Sequence, residues 1–563
     1  MHKIHCLLCL SLLLATCKKE EGHTTNHPPV ITSLTGNLTG ASAYDYTFAA
    51  LATDQDFDNL TYHWDFGDGM TKANGAKNET YTYAANGPAT VTVKLEVSDG
   101  KAVGTATLSL TLSNGDPATM VCNPAVRFQT MAGFGGFGAQ TVYWEPGPYT
   151  SPGFINDIVH DLGCTIIRDE LCTSFEIQND NADPLVTDLS KFNLNTPVAG
   201  HHAPLGQRLP YFKALQQAGV DKFLVTVWSA PPWMKWNNRI DNGTSANSAP
   251  AYDDTPDASS NQLKTEYYQE FAEMCVAYCR IFKQEVGVDV YALSVQNEPR
   301  FSQSYQSCIH NGTSLRDLSK TVGQRLAAEG LPTRLFLPED IGWLEAMSAL
   351  TLPSLQDATT RQYLKAIAVH GYAFDGIQPG SADAQTWEAM HQWGVPYNIP
   401  TWMTETSGFP NTFDGAMDLA KAMYVALEYG QVSAWVFWSL SGPTLSAYSL
   451  LDKTGLKSKR YYASKQFYRY IRPGAVRFEV KGDPSRPDLK FLAFEKAGKR
   501  SLVILNFGAQ SSNVRLPTDV FTASQYNLYR TTATEDCARI GTLGGNFNTF
   551  TVAPRCIMTI TED

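Results

Sequence analysis

Two glutamates in this chain of 563 residues stand just beyond short apolar runs. Glu298 closes Leu293-Ser294-Val295-Gln296-Asn297-Glu298-Pro299, and Glu405 closes Trp402-Met403-Thr404-Glu405. Alone, a glutamate at such a place is usually solvated or salt-bridged. Two brought face to face can cut an acetal. One protonates the leaving oxygen while the other attacks the anomeric carbon, through an oxocarbenium-like transition state. A separation of about 5–5.5 Å would give retention of configuration.

Such a pair must be carried by elements that converge. Eight strand-like runs follow one another: Gly133–Gly136, Thr165–Arg168, Phe223–Val227, Val290–Val295, Leu335–Leu337, Ala366–Val369, Thr401–Met403 and Ala434–Phe437. Amphipathic stretches such as Glu266 to Glu285 and Leu315 to Glu329 lie between them. Apolar strands alternating with helices imply a parallel (β/α)8 TIM barrel, with its site at the C-terminal strand ends. Strand four then delivers Glu298 and strand seven Glu405. Strand three ends in Trp228-Ser229-Ala230-Pro231-Pro232-Trp233, strand six in His370-Gly371-Tyr372, and strand eight in Trp438-Ser439. We place the barrel at 133–472. The alternating segment 118–132 and the β-rich 473–563 read as an attached side β-sandwich. Cys537 and Cys556 are the best disulfide candidates there, while Cys275 and Cys279, four apart on a helix, read as apolar packing.

Ahead of the barrel, residues 30–114 alternate with period two, as in Thr90-Val91-Thr92-Val93-Lys94-Leu95-Glu96-Val97. Tyr62-His63-Trp64-Asp65-Phe66-Gly67-Asp68-Gly69 and Val97-Ser98-Asp99-Gly100 resemble the PKD domain, an immunoglobulin-like β-sandwich. Asp54, Asp56 and Asp58 read as turn residues that cap backbone N–H groups, a cation site being the alternative. The N-terminus carries Lys3 and an apolar run too short to span a bilayer. It ends at Leu14-Ala15-Thr16-Cys17, which resembles a bacterial lipobox with Thr16 in place of the usual Gly, Ala or Ser. The expectation is a lipoprotein signal peptide over 1–17, lipidation at Cys17, a polar tether over 18–29 and a surface-exposed, outer-membrane lipid-anchored protein.

Together, Phe128-Gln129-Thr130-Met131-Ala132-Gly133-Phe134-Gly135-Gly136, Trp228-Ser229-Ala230-Pro231-Pro232-Trp233-Met234-Lys235, the Asn297-Glu298-Pro299 and Glu405 segments and Tyr470-Ile471-Arg472-Pro473-Gly474 resemble glycoside hydrolase family 30. The resemblance implies that Glu298 is the acid/base and Glu405 the nucleophile. It further implies that Asn297 bonds the sugar 2-hydroxyl, Arg168 supports the nucleophile and Trp438 floors the cleaved subsite. Trp233, Tyr372, Trp144 and His370 are further substrate-binding candidates. The family includes glucuronoxylanases, β-1,6-glucanases and glucosylceramidases. Xylan is the first expectation and β-1,6-glucan the second. Glucuronoxylanases carry an Arg shortly after strand eight, whereas here the stretch is Trp438-Ser439-Leu440-Ser441-Gly442-Pro443-Thr444. A non-catalytic glycan-binding lipoprotein is the rival from another class, and a reactive carboxylate pair speaks against it. The net charge of −11 argues against a nucleic-acid partner. No C-x-x-C pair points to zinc, and no cofactor is expected.

Overall fold

The computed structural model describes residues 26–38, 45–83, 90–112, 118–138, 152–248, 252–342, 344–372, 384–544 and 548–562. Cys17, the signal segment and Trp144 lie outside the described residues. The chain divides into two compact units, the first drawn mainly from residues before Leu112.

The first unit contains β1 (Val30–Leu38), β2 (Asp45–Thr53), β3 (Thr61–Asp65), β4 (Thr71–Gly75), β5 (Asn78–Thr82), β6 (Thr90–Ser98) and β7 (Val103–Thr111). β1, β2 and β5 make one sheet, and the order β4-β3-β6-β7 makes another. In β6 the residues Val91, Val93, Leu95 and Val97 are buried and their neighbours are not, as a strand with one wet face requires. Trp64 is fully buried against Phe48 and Phe66, and its indole N–H donates to the Ala76 carbonyl at 3.0 Å. Asp54 Oδ1 accepts the backbone N–H groups of Asp56 and Asp58 at 2.8 and 3.1 Å, so it caps its own turn.

The second unit opens with β8 (Met120–Thr130). The barrel follows as β9 (Gly133–Phe137), β10 (Ile166–Leu171), β11 (Lys222–Val227), β12 (Ala292–Ser294), β13 (Arg334–Ile341), β14 (Leu364–His370), β15 (Thr401–Glu405) and β16 (Ala434–Phe437). These eight strands are parallel and closed, with β16 pairing back onto β9. Inside the barrel, Ile166, Leu224, Phe336, Trp402 and Val436 meet Ala292, Ala366, Ala368 and Ala434. Four alanines make room for the Trp402 and Phe336 rings, which lie 5.8 Å apart. Gly135 is fixed by the close approach of β9 to β10, because a Cβ there would lie 1.7 Å from the Ile166 carbonyl oxygen.

The outer layer includes α1 (Leu205–Gln217), α2 (Tyr268–Val286), α3 (Gly312–Ala328) and α4 (Phe413–Glu428). Cys275 and Cys279 are buried in α2 as apolar fillers, and α2 ends at Gly287 with φ 90°. α3 starts with a capping box: Asn311 accepts from the Ser314 backbone N–H at 2.8 Å and Ser314 accepts from that of Asn311 at 3.0 Å.

After the barrel come β17 (Ser441–Gly442), β18 (Leu451–Asp452), β19 (Val476–Gly482), β20 (Leu489–Lys496), β21 (Lys499–Asn506), β22 (Ser512–Arg515), β23 (Gln525–Thr531), β24 (Ala538–Gly544), β25 (Thr549–Val552) and β26 (Cys556–Thr561). A seven-stranded sheet runs β24-β23-β26-β21-β20-β19-β8, and β22 pairs with β25 separately. β8 thus joins its sheet from the other side of the barrel in sequence. The disulfide expectation fails here: Cys537 and Cys556 are both free thiols. Cys537 precedes β24 with its sulfur 3.7 Å from the Tyr470 hydroxyl, while Cys556 is buried at the start of β26 opposite Asn506.

Candidate active site

The buried faces of the strands extend past the apolar layers into polar ones. On β10, Arg168 lies two residues beyond Ile166 and is fully buried. On β14, His370 follows Ala366 and Ala368 on the same inward face. Two irregularities decide what joins them. Pairing between β14 and β15 slips so that Val369 opposes Met403 but His370 opposes Glu405, which brings Glu405 inward in place of Thr404. Between β13 and β14 the register jumps from Pro338 to Asp340, and the skipped Glu339 has φ 56°.

Glu298 also has a left-handed backbone, φ 45°. Such a conformation costs a non-glycine residue on the order of 1–3 kcal/mol and persists where the surroundings over-determine it. They do so here. The Asn297 N–H donates to the Val227 carbonyl at 2.8 Å and the Glu298 N–H to that of Glu339 at 2.9 Å. The Gln296 amide donates to the Trp228 carbonyl at 2.8 Å.

The side chains converge. An oxygen of Glu298, an oxygen of Glu405 and a ring nitrogen of His370 all lie within 4.8 Å of one another. Arg168 donates to Glu405 Oε2 at 2.5 Å and to Asn297 Oδ1 at 2.8 Å, and its Nε lies 3.1 Å from Glu339. The Tyr372 hydroxyl donates to Glu405 Oε1 at 2.9 Å. Glu298 is met by His370 Nδ1 at 3.1 Å and by the Gln303 amide at 2.5 Å.

Burial alone would raise the Glu339 carboxyl, but Arg168 and then His370 override it and hold it at about 2. Burial would lower His370. The charge on Glu405 and the bonds to Glu298 and Glu339 instead raise it to about 10. Burial pushes the Glu405 carboxyl up, His370 and Arg168 pull it down, and the charge of Glu298 adds to the upward push; the net direction is upward. Arg168 and His370 thus supply the positive charge that the buried Glu339 and Glu405 carboxylates face.

A cavity of about 510 Å³ opens onto this cluster, lined by Asn297, Glu298, Tyr372, Glu405 and Trp438 among others. The Trp438 ring lies 4.1 Å from Phe137 and 6.0 Å from Trp228, forming an apolar wall beside the carboxylates. Arg168 and His370 do not line the cavity; both act from behind, on groups that do. Trp233 is not among the residues that line this cavity. It packs edge-on against Tyr267 at 5.2 Å and its N–H donates to the Glu176 carbonyl at 3.3 Å, away from the cavity. The nearby Lys235 is fully buried and ties its loop to the next one through the Ser307 carbonyl at 2.7 Å.

Sequence reasoning missed Glu339, Gln303 and the cavity-lining Phe137, Trp228, Tyr305 and Tyr448. The rule that found Glu298 also covers Glu339, since the apolar run Leu335–Leu337 of β13 is followed by Pro338-Glu339-Asp340. Gln303 and Tyr448 lie in loops and carry no periodic signal.

A closed parallel barrel with paired glutamates at the ends of its fourth and seventh strands defines a glycoside hydrolase domain. Residues 179–447 match the glycosyl hydrolase family 30 TIM-barrel domain, and residues 26–112 match the PKD domain. The chain therefore carries a family 30 glycoside hydrolase domain preceded by a PKD domain. It is 26% identical over 335 residues to endo-1,6-β-D-glucanase neg1 of Aspergillus fumigatus, covering 56% of this chain and 62% of that protein. It is 23% identical over 314 residues to glucuronoxylanase XynC of Bacillus subtilis, covering 54% and 66%. Both matches span less than two thirds of the relative. In fold it is similar to a family 30 endoxylanase from Clostridium papyrosolvens, with a TM-score of 0.60 and 22% identity over 80% of this chain and all of that one.

Proposed function

We propose that this protein is a retaining glycoside hydrolase acting on β-linked polysaccharide by double displacement. One observation carries the reading: the Glu298 and Glu405 carboxyl oxygens approach within 4.8 Å. Carboxyl groups about 5–5.5 Å apart suit direct attack by Glu405, and so close an approach of their oxygens is in keeping with that spacing. Glu298 gives its proton to the leaving oxygen as Glu405 attacks, then serves as base for the incoming water. Arg168 and Tyr372 aim one donor each at the two Glu405 oxygens, which offsets part of the cost of burying its charge and orients the nucleophile. Arg168 also takes the Asn297 carbonyl oxygen, which leaves the Asn297 amide N–H groups free to donate to a sugar hydroxyl. The Trp438 face stacks on sugar C–H groups.

For the substrate, the reading is an endo-acting β-1,4-xylanase-like enzyme, with β-1,6-glucan second. Of the relatives named above, one is an endo-1,6-β-D-glucanase and another a glucuronoxylanase. No Lys or Arg lines the cavity among the described residues, which favours an uncharged chain over a glucuronate-bearing one. Incubation with xylans, β-1,6-glucan and β-1,3-glucan, with products sized by mass, tests this. Oligosaccharides from one polymer, absent with Glu298→Ala and Glu405→Ala, are expected. A polymer bound equally by wild type and both variants but never cut would replace the enzyme with a binding protein. We also propose lipid anchoring at Cys17 on the cell surface, supported by the lipobox-like Leu14-Ala15-Thr16-Cys17. Palmitate label should vanish in Cys17→Ala.

A further inference from the structure

A second group of carboxylates lies away from the catalytic pair. The segment from Cys172 to Pro204 runs 33 residues between β10 and α1 with only one short helical turn, Leu189–Lys191. Glu176 and Asp180 belong to it. Glu270 and Glu273 belong to the first turns of α2. One oxygen each from Glu176, Asp180 and Glu270 lie within 4.8 Å of one another.

Glu176 is the informative member. Only 2% of it is exposed, and among the described residues neither of its carboxylate oxygens has a hydrogen-bond partner. Asp180 Oδ1 and Glu270 Oε2 are likewise buried and unpartnered, although Asn181 donates to the other Asp180 oxygen at 2.9 Å and Asn179 to the other Glu270 oxygen at 3.2 Å. A buried carboxylate without a donor or counter-charge costs several kcal/mol. The charges that act on Glu176 are all negative. Burial and then Asp180, Glu273 and Glu270 push its carboxyl up to about 9. Burial and then Asp180 push Glu273 to about 8. Thr187 and then the charge of Arg325 ease Glu273, but Arg325 is engaged by Glu329 at 3.1 Å and by the Leu185 carbonyl at 3.0 Å. The N-terminal end of α2 favours acidic groups by well under the cost of this burial.

We propose that Glu176, Asp180 and Glu270, with Glu273 adding charge beside them, bind a hard divalent cation of the calcium type. The donors are all carboxylate oxygens, with no histidine or cysteine among them, which suits calcium over zinc or copper. The ion takes no part in bond cleavage. It ties the long β10–α1 segment to α2. That segment is flanked by Glu170 and contains His202, which pair at 2.7 Å and both line the catalytic cavity. The Glu176 carbonyl also receives the Trp233 indole N–H, so the clamp reaches the β11 loop.

Terbium, a luminescent calcium mimic, provides the test on the full chain, since Trp233 lies close enough to sensitise it. At pH 7.5, wild-type protein stripped with EGTA should bind Tb³⁺ with tryptophan-excited emission that Ca²⁺ displaces. Its thermal transition should rise by about 5 °C in millimolar Ca²⁺. Glu176→Gln should fold, lose most of the emission and lose the thermal response. The milder Asp180→Asn, at a partly exposed position, should weaken the response and serves if Glu176→Gln does not fold. Emission and thermal response unchanged in the folded variants would place the ion elsewhere and overturn the proposal. No Tb³⁺ emission and a transition indifferent to Ca²⁺ and EGTA would mean that the carboxyls hold protons instead, which overturns it equally.

Discussion

Arg168 donates to Glu405 and Asn297 and ion-pairs with Glu339, so a single guanidinium orients three neighbours and faces the charge of two. Arg168→Met would leave two buried carboxylates with His370 as their remaining positive partner, and a loss of about 3–5 kcal/mol in urea unfolding is expected. Glu339 gives a pH signature. Its carboxyl sits at about 2 against an ordinary 4.5, so its ionised form stabilises the fold above pH 4.5, and that contribution fades as the pH falls through about 2. The stability gap between wild type and Glu339→Gln should therefore be constant near pH 6 and shrink between pH 4.5 and 2. A gap flat across that window contradicts the assignment. For the catalytic pair, Glu298→Ala should slow turnover by about 10²–10⁴-fold. Azide should then restore turnover and yield a β-glycosyl azide. In Glu405→Ala, azide should attack from the vacated side and yield the α-anomer, and the reverse pattern would exchange the two roles.

At the scale of elements, the polar cluster stands on an apolar floor. Trp402 fills the barrel interior, stacked 6.1 Å from Tyr291, with its N–H donating to Ser433 Oγ at 3.0 Å. Trp402→Ala would leave a void among alanines that cannot expand into it, at a cost of about 3–5 kcal/mol. Because β15 also carries Glu405 three residues on, kcat should fall as well. Denaturant melts and kinetics on the same variant check both halves of the expectation; a stable variant with normal kcat would mean that the floor does not position the strand end.

At the scale of the molecule, the two compact units have separate cores. Trp64→Ala should destabilise only the unit that matches the PKD domain, lowering one calorimetric transition and leaving hydrolysis of soluble substrate unchanged. A parallel loss of activity would mean that the units depend on each other.

Eight apolar runs, each ending in polar residues, were enough to read the barrel and to place Glu298 and Glu405 at its mouth, because parallel strands buried on both faces leave near-continuous hydrophobic segments. The Trp64-Asp65-Phe66-Gly67-Asp68-Gly69 motif marked the first unit in the same way. Four matters were left to tertiary structure. The slip in pairing that turns Glu405 inward depends on a neighbouring strand, not on the period of its own. The skipped Glu339 depends on the β13–β14 register. Trp233 is diverted to Tyr267 by how its loop packs. Glu176 and Glu270, nearly a hundred residues apart, meet only when α2 closes over the β10–α1 segment. Periodicity reports which face a residue takes within one element; it holds no information on the register between elements, and it is register that brings these charges together.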